Sequence, residues 1–211
     1  MRAVMVLVMA AALQLIAPVP SRAASSPGET LPTDPALLTG RLANGLNYII
    51  RQHKNPEGRV GMWLHVSSGS LNETEAQRGL AHYLEHMAFN GTTNFPPGSV
   101  VPFFQSLGMS FGSDQNAFTS FDQTTYTLML PGGSREMVDK GLLYMSDVAL
   151  RMSLDQTEID SERQVILEEK RARAGAPQRV QDQIYERLAP ESTLGRRLPI
   201  GIECTRNPSR R

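Results

Sequence analysis

Hydrophobic positions along this 211-residue chain recur with a period of two in some stretches and of 3.6 in others. The two periods separate strands from helices. Arg41 to Ile50, broken by Asn44-Gly45, predicts a hairpin. Arg59 to Ser67 alternates as a second long strand. Phe111 to Thr119 and Thr125 to Leu130 predict two further strands, pairing around Ser120 to Gln123. Helical spacing holds over 79–89, Val100 to Leu107, Ser134 to Met152, Asp155 to Arg173 and Gln178 to Leu188. Gly108 closes the second of these helices, and Asn90-Gly91 closes the first. Asn72 or Thr74 offers an N-terminal cap ahead of it, each with Glu75 or Gln77 three residues on. No internal repeat is present.

The helix over 79–89 carries the chemistry. It contains His82-Tyr83-Leu84-Glu85-His86. At about 100° per residue, both histidines and Glu85 fall within an arc of roughly 100°. Leu80, Tyr83, Leu84, Met87 and Ala88 take the other side and are expected to face a core. Two neutral imidazoles one turn apart, with a carboxylate beside them, suit a catalytic zinc ion and its proton acceptor. The order inverts the commoner His-Glu-x-x-His and matches the inverzincin pattern. The plain alternative is a helix with solvated or hydrogen-bonded histidines. Gly79, one turn before the histidines, is expected to leave room for a substrate backbone. His65 in its strand and His53 in its turn read as ordinary histidines.

A catalytic zinc usually takes three protein ligands and keeps one position open. The helix over 155–173 offers the third. Ile159 and Ile166 mark its inward face, and Glu162 lies on that face between them. A carboxylate on a buried stripe is costly unless paired or bound to a metal. A partly exposed, salt-bridged Glu162 is the alternative. Glu158, Glu168 and Glu169 fit a solvated surface more easily.

Composition narrows the class without naming it. Lys+Arg and Asp+Glu number 21 each, so no basic field argues for nucleic acid. Charged residues after position 150 read as solvated helix faces. Residues 1–23 read as a secretory signal peptide: Arg2, an apolar run from Ala3 to Ala17, Pro18 and Pro20, then Ser21-Arg22-Ala23. The run is short for a membrane span, although an uncleaved anchor is the alternative. This pattern predicts export to a periplasm or to the outside. Residues 24–38 read as a flexible lead-in. Cys204 is the single cysteine, so no internal disulfide can form.

Three motifs together resemble the M16 (pitrilysin/insulinase) family of zinc metallopeptidases. They are Arg78-Gly79-Leu80-Ala81-His82-Tyr83-Leu84-Glu85-His86-Met87-Ala88-Phe89-Asn90-Gly91-Thr92, then Asn116 to Tyr126, then Asp160 to Glu169. In that family the third ligand lies about 75 residues beyond the second histidine; here positions 87–161, 75 residues, lie between His86 and Glu162. The resemblance covers about residues 36–201. It implies an α+β fold: a two-layer, largely antiparallel sheet packed against helices. It assigns one zinc ion to His82, His86 and Glu162, and makes Glu85 the general base. It puts Asn116 and Ala117 on the strand that holds the substrate backbone. Asp155, where family members usually carry Glu, becomes a supporting carboxylate. Co²⁺ or Mn²⁺ could occupy the same ligands. The resemblance also implies a second, similar domain or subunit closing over an unfolded peptide. Residues 39–201 are then expected to form a catalytic domain incomplete at its C-terminal end, with 202–211 an irregular tail. The implied activity is a zinc endopeptidase. A non-catalytic partner subunit and an inactive truncated remnant are the alternatives.

Overall fold

A computed structural model describes residues 33–201. The signal-peptide reading of 1–23, most of the lead-in, the tail and Cys204 lie outside the described residues. The chain divides into two compact units, one ending at His53 and the other beginning at Lys54.

The first unit is the predicted hairpin. Strands β1 (Leu37–Arg41) and β2 (Asn47–Arg51) pair antiparallel, with Arg41 opposite Asn47. Gly45 takes the left-handed conformation that the Asn-Gly turn requires, at φ 92°. Arg51 donates to Asp34 at 3.2 Å and ties the lead-in to the second strand.

The second unit is a three-stranded antiparallel sheet with helices. Its strands are β3 (Val60–Val66), β4 (Gln115–Thr119) and β5 (Thr124–Leu130), in the order β3-β5-β4. Its helices are α1 (Leu80–Met87), α2 (Val100–Ser106), α3 (Arg135–Leu150), α4 (Gln156–Arg173) and α5 (Ala176–Leu188). The α+β, largely antiparallel architecture is the expected one.

The period-two rule explains the sheet. In β3, Val60, Met62 and Leu64 turn toward the core while Gly61, Trp63 and His65 turn away. Central strand β5 buries Tyr126, Leu128 and Leu130. They pack with Val100 and Phe104 of α2, and Tyr144, Met145 and Val148 of α3. The Phe104 and Tyr144 rings meet edge to face at 5.1 Å. Gly141 lets α3 lie close on the sheet: a methyl group there would meet Met62 Sδ at 2.9 Å and Leu130 Cδ1 at 3.1 Å. His65 is an ordinary strand histidine, its Nδ1 3.2 Å from Thr125 Oγ1.

The helix starts differ in part from expectation. Ser134 caps α3 by accepting from Met137 N, and Asp155 caps α4 by accepting from Thr157 N. Thr74 and Gln77 do form a capping box, but around a short 3₁₀ turn over Glu75–Gln77. The donors of α1 are met by Glu73 instead, whose two oxygens accept from Gly79 N and Ala81 N, both at 2.8 Å. A carboxylate there also opposes the positive end of the helix dipole.

Gly79 is likewise corrected. It is the left-handed N-cap of α1, at φ 95°, and the space beside it holds Gly201, whose Cα a Cβ on Gly79 would meet at 3.1 Å. The vacancy serves a close backbone approach within the chain. The arc of α1 expected to be greasy is only partly inside: Met87 and Ala88 are buried, but Leu80 is 44% exposed. On the face that carries the histidines, His82 and Glu85 are buried and His86 is partly so.

Candidate metal centre

α1 and α4 pack against each other and bring the titratable side chains together. The Tyr83 hydroxyl donates to the carbonyl of Ile159 and fixes the pairing of the two helices. Ile166 is buried, as the stripe through Ile159, Glu162 and Ile166 predicts. His82 and Glu85 are buried too, and His86 is partly so.

The imidazole rings meet edge to face, with His82 Nε2 and His86 Nε2 3.3 Å apart. Glu169 Oε2 stands 3.4 Å from the first nitrogen and 3.3 Å from the second. Tetrahedral zinc with bonds of about 2.0–2.1 Å spaces its ligand atoms by about 3.3–3.4 Å. The three atoms therefore outline one face of a zinc tetrahedron. Glu169 Oε2 and His82 Nδ1 are buried and have no hydrogen-bond partner among the described residues. A buried carboxylate oxygen in that state is costly without a cation. The donor set and this orphaned oxygen fit a divalent metal.

Glu162 comes to the same place by another side. Its Oε1 lies 2.7 Å from His86 Nδ1, and its Oε2 accepts from Asn90 Nδ2. Glu169, expected on the solvated surface, is thus corrected: it lies in the centre, its other oxygen paired with Arg173. The signal was present in the sequence, because Glu169 continues the Ile159–Glu162–Ile166 stripe by one more turn. Glu168 is on the surface as expected, paired with Arg171.

Protonation follows from burial and neighbours. Burial lowers the pKa of His82 to about 4, helped by the charge of His86. The ring is therefore a neutral donor at physiological pH. Burial also acts to lower His86, but the Glu162 carboxylate outweighs it and raises the ring. The hydrogen bond from His86 is the main cause that lowers Glu162. Burial raises Glu85, although the Thr119 hydroxyl bonded to its Oε2 at 2.6 Å works the other way.

That hydroxyl links the centre to β4, an edge strand among the described residues. β4 carries Asn116 and Ala117, and the Asn116 side chain accepts from Ala117 N at 2.9 Å. Asp155 stands exposed at the N-cap of α4, committed to Thr157 N. A cleft beside His86 and Glu162 is walled by Phe89, Val101, Phe111 and Val165.

Residues 48–199 match the family described as insulinase (peptidase family M16). The chain is 38% identical over 175 residues to a probable zinc protease, PqqL, of Escherichia coli, covering 83% of this chain and 19% of that protein. It is 36% identical over 164 residues to a PQQL-like zinc protease of Arabidopsis thaliana, covering 78% of this chain and 17% of that one. Its fold is similar to the crystal structure of the first half of the periplasmic protease PqqL from Escherichia coli. That match has a TM-score of 0.80 at 38% identity over 84% of this chain and 38% of the other. The chain thus spans about a fifth of the length of these curated relatives.

Proposed function

The chain belongs to the insulinase family, peptidase family M16, and from that premise we propose that it works as a zinc-dependent endopeptidase on unfolded peptides. The observation that carries this reading is the meeting of His82 Nε2 and His86 Nε2 with two carboxylates beside Glu85: Glu169, whose Oε2 lies near both rings, and Glu162, bonded to His86 Nδ1. A zinc ion bound there would polarise the scissile carbonyl and acidify the attacking water. Glu85 accepts the water proton at the oxygen not bonded to Thr119 and returns it to the leaving amine. Burial raises its proton affinity and suits it to that exchange, while Thr119 fixes its orientation. The main chain of β4 around Asn116 and Ala117 holds the peptide in an extended form, which selects for an unfolded substrate with little sequence preference.

His82, His86 and Glu162 are the proposed ligands. The spacing of Glu162 from the motif and its contact with His86 support this set. A second reading makes Glu169 the third ligand and leaves Glu162 to orient His86 through Nδ1. The donor triangle favours it. Zinc affinities of Glu162→Gln and Glu169→Gln separate the two, since the true ligand loses more.

Export is proposed from the pattern of residues 1–23 and from the periplasmic relative. A second M16-like domain or subunit is the proposed partner. The motif is complete here, which disfavours a non-catalytic subunit. The test is hydrolysis of an unstructured peptide by zinc-loaded protein, with Glu85→Gln beside it. The variant is expected to keep zinc and to lose about 10²–10⁴-fold in rate. Equal cleavage by both proteins would remove Glu85 as the base. Zinc binding without cleavage in either would favour the partner-subunit reading.

A further inference from the structure

Glu162 is gripped at both oxygens. His86 Nδ1 holds Oε1 at 2.7 Å, and the Asn90 amide donates to Oε2. His86 and Asn90 are four apart, so one turn of chain presents both donors to a single carboxylate. A carboxylate held at one oxygen can still turn about its last bond. The amide removes that freedom. It also brings no charge: Lys at 90 would compete with a cation, and Asp would repel Glu162.

Asn90 is itself fixed from both sides. Its N–H donates to Met87 O at 3.1 Å, continuing the last turn of α1. Beyond it, Gly91 O accepts from Ser153 N at 3.0 Å. Thr92 Oγ1 and Asn94 N then donate to Asp147 Oδ2 at 2.7 and 2.9 Å. Asp147 is fully buried in α3. The segment after the motif is thus latched onto a core helix, and Asn90 cannot drift from Glu162 without breaking that latch.

We propose that Asn90 is a positioning residue of the metal centre, which acts through Glu162 and sets metal affinity. This rests on the metal-centre reading above. It holds whether Glu162 binds the ion or orients His86, because either role needs the carboxylate held.

The test is zinc affinity by competition with a chromophoric chelator. The visible spectrum of the cobalt-loaded protein and the melting temperature of the metal-free protein are read beside it. Asn90→Ala is expected to lose about 10–100-fold in zinc affinity, as supporting residues of metal sites do. Its cobalt spectrum should change while its metal-free melting temperature stays near wild type. Asn90→Asp should lose more at neutral pH, and Asn90→Ser replaces the alanine variant if that one misfolds. Wild-type affinity and spectrum in Asn90→Ala, with affinity lost in Glu162→Gln, overturns the proposal and leaves the metal centre standing. Unchanged affinity in both variants overturns the role of Glu162 as well. A loss in Asn90→Ala without one in Glu162→Gln also overturns it, because Asn90 would not then act through that carboxylate.

Discussion

Two helix contacts in the second unit have opposite character. Where α2 and α3 meet the sheet, Phe104, Tyr144, Leu128 and Val148 pack ring against ring and aliphatic against aliphatic. The Tyr144 hydroxyl there donates to Ala88 O at 3.3 Å. Where α1 meets α4, the buried positions are His82 and Glu85, with Glu162 and Glu169 half-buried opposite. Two polar atoms there, His82 Nδ1 and Glu169 Oε2, lack a hydrogen-bond partner among the described residues. The first contact gains free energy from burial. The second gives some up, since burying polar groups without full pairing costs stability. The candidate site sits where the fold is least favourable by itself, and the stable core beside it holds the geometry.

The sharpest way to break this comparison is to cut each side in turn. Phe104→Ala should destabilise the metal-free protein by about 3–5 kcal/mol through cavity formation. Its remaining folded fraction should bind zinc as wild type does. Glu85→Gln should do the reverse, with activity lost and urea stability unchanged or raised. If Phe104→Ala abolished zinc binding in protein that is still folded, the two regions would not be separable.

Metal addition sharpens the comparison at the next level. A ligand at 100 times its Kd stabilises the folded state by about 2.7 kcal/mol. That gain should appear in thermal unfolding of wild type with zinc, and a chelator should remove it. Glu169→Gln should then split the two terms. Removing the charge from an orphaned buried oxygen should raise metal-free stability, while zinc affinity falls. A variant less stable without metal would mean that the ion pair with Arg173 dominates at this position.

The legibility of these regions in sequence follows the same division. Periodicity located each strand and helix of the second unit, because burial on one face imposes period two or 3.6. The His-x-x-Glu-His face was legible as a candidate site because metal chemistry would allow few residue types at i, i+3 and i+4. The placement of Glu162 against His86 was legible because a carboxylate there interrupts an apolar stripe. Glu169 was not, because a carboxylate in a run of charges reads as solvated until the partner helix is known. The Glu73 cap was missed for a related reason. A capping side chain is sought at the helix start, and Gly79 has none, so the acceptor reaches in from six residues earlier. Leu80 was assigned to the core by its arc, yet tertiary packing turned the polar arc inward.

The smallest expected effect lies on the border between the two regions, at Asp147. It is a fully buried charged group on α3, beside the apolar contact and bonded to polar partners. Burial acts to raise its pKa. The Thr92 hydroxyl, the Asn94 backbone N–H and the Arg151 side chain act against burial and leave it below the ordinary value. A carboxylate with a depressed folded-state pKa contributes stability above its unfolded pKa of about 3.9, and loses that contribution as pH falls through the folded value. Asp147→Asn should therefore lower metal-free stability at pH 7 by about 1.5–3 kcal/mol, the range for hydrogen bonds to a charged group. The gap to wild type should narrow as pH falls below about 4. Urea unfolding of both proteins at several pH values measures it, and the difference between them cancels every other titrating carboxylate. A gap that stays constant through the acid range would mean that shape and packing at position 147, not charge, hold the segment that carries Asn90.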